Sequence, residues 1–150
     1  MTMAPVRPSG DDDVVVVTAF FADARAARGA EAGLGDLSAD GALDVLDGAV
    51  CDWSGPPAAP RWRPVENLVR LSPLPASVWT DLADHLVEGG RRGRVPLPDG
   101  AALHPGGYLL VVFLADGSAP AGLCCRWGPT TRWAAVPPVS YLSLLDGGRA

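Results

Sequence analysis

Apolar residues are distributed along this chain in two ways: uninterrupted runs that follow no period, and one segment with clear helical spacing. Residues 14–20 are β-branched and apolar without alternation, as expected of a strand covered on both faces. Residues 22–28 predict a short helix that Gly29, Gly33 and Gly35 then break. Across residues 36–53 the apolar positions satisfy neither period well, leaving a helix beginning near Ala42 or a long strand, and the second half reads as strand. Residues 62–71 have the aromatic and β-branched content of a strand, which Pro64 places at an edge or a bulge, and a hairpin would set Trp53 and Trp62 near its open loop.

Helical spacing is clearest from Val78 to Glu88, where Val78, Trp79, Leu82, Ala83, Leu86 and Val87 form one apolar stripe. Ser77 can cap this helix, and Gly89 and Gly90 end it. Strands crowd the last third, at residues 94–97, 108–115, 121–127 and 131–136, with 139–145 as another strand or a short helix. Asp116 and Gly117 are a hairpin turn signal. These elements predict an α+β fold: a single domain over residues 14–150, with a largely antiparallel β-sheet packed against one main helix (Val78 to Glu88). The polar, acidic residues 1–13 read as a flexible N-terminal arm.

Composition narrows the chemistry. A length of 150 residues with 48% hydrophobic content can fill an ordinary core. The chain has no lysine, and all 12 of its basic residues are arginines. Walker-type phosphate loops, Schiff-base chemistry and a perturbed lysine base are therefore excluded, since arginine stays protonated. A net charge of −5 argues against general nucleic-acid binding, which needs a dense basic surface. The apolar stretch at residues 108–115 falls far short of the roughly 20 residues that span a bilayer. No signal peptide is visible, so the expectation is a soluble cytoplasmic protein without a membrane partner. The 3 cysteines lack a repeating spacing and read as reduced, buried thiols.

Three of the 5 tryptophans directly follow arginine: Arg61 with Trp62, Arg126 with Trp127, and Arg132 with Trp133. On strands, neighbouring side chains point to opposite faces, so indoles turned inward would leave an arginine-bearing outer face. Tryptophan and arginine are also the types that most often anchor interfaces. The leading expectation is a non-catalytic protein–protein interaction domain, an adaptor, inhibitor or assembly subunit, using these six residues against another protein with an acidic surface. The bland reading is that the arginines solvate an open sheet.

Two other readings stay open. Asp36, Ser38, Asp40, Gly41, Leu43, Asp44 and Asp47 occupy positions 1, 3, 5, 6, 8, 9 and 12 of a twelve-residue stretch. This spacing resembles an EF-hand calcium loop, and the final aspartate is similar to the dockerin variety. The resemblance implies a Ca2+ site with Asp36, Ser38, Asp40, Asp44 and Asp47 as side-chain ligands and Ala42 offering its carbonyl; a plain acidic turn is the alternative. The other reading is a small enzyme with Asp/His acid–base chemistry in a cleft at the end of the sheet, built on His104 in the turn-like stretch His104, Pro105, Gly106 and Gly107. If residues 121–127 form a hairpin with 108–115, Cys124 falls opposite Val112, too far from His104 for a Cys-His pair. His85, flanked by Asp81 and Glu88 on its helix, reads as structural.

Overall fold

The unalternating run at residue 14 becomes β1 (Val14–Phe21), whose first six residues are buried. The computed structural model describes residues 14–41, 43–53, 60–65, 74–86, 97–98, 101, 103–115, 123 and 126–146. After β1 come α1 (Ala24–Ala39), β2 (Val45–Asp52), β3 (Arg61–Pro64), α2 (Ala76–Leu86), β4 (Tyr108–Leu114), β5 (Arg132–Val136) and α3 (Pro138–Leu145). The strands form one five-stranded sheet in the order β3-β2-β4-β1-β5, antiparallel at every junction. An antiparallel sheet packed against helices is the α+β fold expected from the sequence. The proposed arm at residues 1–13 lies outside the described residues.

β1 and β2 each pair antiparallel with β4, so they run parallel to one another with β4 inserted between them. This is a split βαβ unit, with α1 as its crossover. β4 therefore pairs with β1 and β2, not with a following hairpin strand, and Val112 lies opposite Val17 and Gly48. Residues 116–122, which hold the expected turn, are outside the described residues. The expected strand at 121–127 is corrected where it can be seen: Leu123, Arg126 and Trp127 are helical.

Helices cover both faces of the sheet, where the sequence suggested one main helix. Val15, Val17, Ala19, Leu110, Val112 and Leu114 pack with Ala30 and Leu34 of α1 and with Leu123 and Trp127. The alternate residues Val14, Val16, Leu109, Val111 and Phe113 pack with Val78, Trp79 and Leu82 of α2 and with Tyr141 and Leu144 of α3. Because each strand face meets apolar side chains, β1 and β4 carry no polar alternation.

α1 runs through Gly29 and Gly33, which correspond to an expected break. Each glycine costs a helix interior about 1 kcal/mol relative to alanine, but burial of Ala27, Ala30, Leu34 and Ser38 along one face holds the helix. Asp23 caps its start, with Oδ1 accepting from Ala26 N at 2.8 Å. The helix ends at Asp40, followed by Gly41 at a φ of 76°, a conformation that favours glycine.

On the α2 side, an aromatic row crosses the sheet. Trp62 of β3 stacks on Trp79 of α2 at a centroid distance of 6.1 Å, Trp79 meets Phe113 of β4 edge-on at 6.0 Å, and Phe113 meets Tyr141 of α3 at 5.4 Å. This row ties both helices of that layer to the sheet.

Candidate functional site

The six arginines and tryptophans singled out by sequence do not share a face. β3 and β5 are opposite edges of the sheet, four strand spacings or about 19 Å apart. Arg61 lies opposite Asp52 and Arg63 opposite Val50, which places both arginines on the α1 side. Arg63 makes a bidentate ion pair with Glu31 of α1, each contact 2.7 Å long. Trp62 turns to the other side, where its Nε1 donates to Thr80 Oγ1 at 3.2 Å.

In β5 the same alternation gives a different result. Arg132 lies opposite Thr18, on the α2 side, and Trp133 lies opposite Val17, on the α1 side. Arg132 Nη1 donates to the carbonyls of Pro129 and Thr131, at 2.7 and 3.0 Å, so this guanidinium folds back onto its own loop. Trp133 is 52% exposed. Local alternation thus holds in both strands, but their places in the sheet send the arginines to opposite sides.

Arg126 and Trp127 occupy a helical segment, not a strand. Trp127 is buried among the α1-side residues, and Arg126 is exposed. Both line a cavity of about 400 Å³ together with Phe21, Ala26, Gly29, Ala30 and Gly33. Among the described residues the lining offers apolar contact and one cation, without a carboxylate or imidazole for proton transfer.

The residues matched to a calcium loop are dispersed among different elements. Asp36 and Ser38 lie in the last turn of α1, Asp40 is the residue that ends it, and Asp44 is exposed before β2. Asp47 is a buried residue of β2, at a bulge between Val45 and Asp47. Its Oδ1 accepts from Gly48 N at 2.7 Å and its Oδ2 from Leu74 N at 2.9 Å. The twelve-residue loop therefore does not form, because a helix occupies its first part and a strand its last. Among the described residues no group of three or more His, Cys, Asp or Glu could hold a metal ion. Ala42 lies outside the described residues.

His104 is exposed in the loop before β4, and its ring meets Phe20 edge-on at 5.1 Å. That loop is bound to the end of β2, with Gly106 N donating to Trp53 O at 2.7 Å and Trp53 N to Gly107 O at 3.0 Å. A Cβ on Gly107 would overlap the Phe20 ring, so glycine is needed for this close approach. His104 does not line the cavity beside α1. The His85 side chain and residues Cys124 and Cys125 lie outside what is described.

Cys51 is fully buried in β2 opposite Leu109, and burial pushes its thiol up to about 12. It is thus a packing residue and not a nucleophile. Because the native thiol holds its proton more tightly than the unfolded one, with its ordinary value of 9.0, this contribution is complete below pH 9 and lost as pH rises toward 12. The expected loss is about 1.4 kcal/mol per pH unit in that window. Thermal melts of the native protein and of Cys51→Ala across alkaline pH check this: the variant should show a shallower decline.

Sequence reasoning missed the exposed edge as a unit. Trp133 and Leu142, at 52% and 46%, are the exposed large hydrophobic residues among those described, and they belong to β5 and the helix that follows it. The available signal was Pro137, which joins strand to helix so closely that their apolar residues remain neighbours in the chain. No helix among the described residues is long and apolar enough to cross a membrane. No protein-family model matches this chain, and comparison with curated proteins and with solved structures returned no match.

Proposed function

We propose that this chain is a non-catalytic protein-interaction domain whose binding element is the edge strand β5, which accepts an extended strand from another polypeptide. The observation that supports it is Trp133, half exposed on a strand that pairs only with β1 among the described residues. The outer side of an edge strand carries backbone donors and acceptors able to receive a further strand, and an exposed indole beside them supplies the apolar anchor. Of the six residues singled out by sequence, Trp133 takes the central role, while Arg132 is tied to its own loop. An acidic residue on the partner would still find Arg61 and Arg126 exposed elsewhere on the molecule.

Partner capture by the full chain, compared with Trp133→Glu and Arg61→Glu, tests this reading. Capture should weaken by about tenfold or more in Trp133→Glu, as for a central interface aromatic, and by much less in Arg61→Glu. Equal capture by the native chain and Trp133→Glu would reject β5 as the binding element.

A further inference from the structure

The two edges of the sheet differ in the devices that discourage strand addition. β3 is four residues long, ends in Pro64 and carries Arg61 and Arg63. Short length, proline and charge all blunt an edge. β5 has one charged residue, Arg132 at its start, followed by Trp133, Ala134, Ala135 and Val136. Its proline, Pro137, lies just beyond the strand.

We propose that β5 pairs antiparallel with β5 of a second copy of this chain, about a two-fold axis centred on Ala134. This rests on the edge-strand reading above and names the partner. Extending an antiparallel sheet across such an edge requires a two-fold perpendicular to the sheet, which keeps each face on its own side. Directly opposed residues must then share a face, so only registers that pair odd positions with odd and even with even are allowed. Full overlap of residues 132–136 within that restriction centres on Ala134.

That register fits the side chains. On the α1 side, Trp133 falls opposite Ala135 of the second copy, the largest residue of the strand against one of the smallest, and both are exposed in the single chain. Symmetry repeats the pair. On the other side, Arg132 falls opposite Val136 of the second copy, so no like charges oppose each other although each chain carries −5. A stable dimer buries about 1,200–2,000 Å² in total, more than a five-residue strand pair supplies. The inferred dimer therefore needs further contact, for which the candidate is exposed Leu142 of α3, the helix that follows β5 directly.

Sedimentation equilibrium of the full chain over about a hundredfold concentration range tests the association. The expected result is a mass that rises with concentration to twice the 15.5 kDa chain. Trp133→Ala removes the indole and should weaken the dimer about tenfold or more. The double variant Trp133→Ala/Ala135→Trp sets a tryptophan opposite an alanine again and should recover most of that loss. Circular dichroism melts confirm that each variant folds. A chain that stays monomeric at every concentration overturns the second-copy inference, while the capture experiment decides the edge reading by itself. A dimer indifferent to Trp133→Ala overturns the inference and places the contact elsewhere. A double variant no better than Trp133→Ala overturns the register.

Discussion

Replacing Trp79 by alanine is expected to destabilise the protein by about 3–5 kcal/mol, the range for truncating a large aromatic in a packed core. Trp79 is fully buried and is the middle link between Trp62 and Phe113, so truncation removes its own apolar burial and two ring contacts together. The cavity would open between α2 and the sheet, where Val78, Leu82 and Phe113 are already packed and can close it only partly. For a chain of this size the melting temperature should fall by roughly 8–15 °C. Trp79→Phe isolates one part of this effect. The indole Nε1 of Trp79 is buried with no hydrogen-bond partner among the described residues, whereas that of Trp62 donates to Thr80. Phenylalanine removes that unsatisfied donor, and the relief offsets part of the lost volume, so its cost should be well under half that of alanine. Urea unfolding followed by far-ultraviolet circular dichroism measures both. Equal losses for Phe and Ala would show that neither the retained ring volume nor removal of the buried donor offsets the loss of the indole.

The ease of reading each element from sequence followed how local its determinants are. β1 and β4 were legible because coverage on both faces leaves an unbroken apolar run, and α2 because Val78, Trp79, Leu82 and Ala83 mark one buried face. α1 runs past the expected break because the penalty of glycine is local, while the compensation comes from Ala27, Ala30 and Leu34 meeting a sheet that sequence does not display. The apolar content of residues 121–127 suggests a strand. Leu123 and Trp127, one helical turn apart and both turned to the α1 side, held the opposite signal, but two positions are too few to set a period. Strand order was illegible for another reason. Val14 pairs with Val136 and Val15 with Leu114, contacts between distant parts of the chain that no short window encodes. The candidate site inherited that limit: alternation in Arg61–Pro64 and Arg132–Val136 was readable, but the two strands' positions at opposite edges were not.

Asp47→Ala is expected to cost about 2–4 kcal/mol, because it removes two charge-assisted hydrogen bonds in a buried setting and leaves backbone donors without partners. Asp47 is 1% exposed, and its two oxygens join parts of the chain far apart in sequence: Gly48 beside it in β2 and Leu74 at the approach to α2. The bulge next to it offsets the strand register, after which Asp47 lies opposite Phe113 on the side that α2 covers. A carboxylate at this point therefore fixes where the chain enters α2. An acidic residue that looked like the last ligand of a calcium loop is a tether between a strand and a helix. Asp47→Asn separates shape from hydrogen-bonding capacity. The amide keeps one acceptor oxygen but presents a donor where the second acceptor stood, so it should still lose about half as much as alanine or more. Chemical unfolding gives the magnitude, and amide exchange at Leu74 gives the location: exchange there should accelerate in both variants by more than global destabilisation accounts for, while Val111 and Val112 in the centre of the sheet follow the global change. Unaltered protection at Leu74 in Asp47→Ala would show that Leu74 is held by other contacts and that the tether is dispensable.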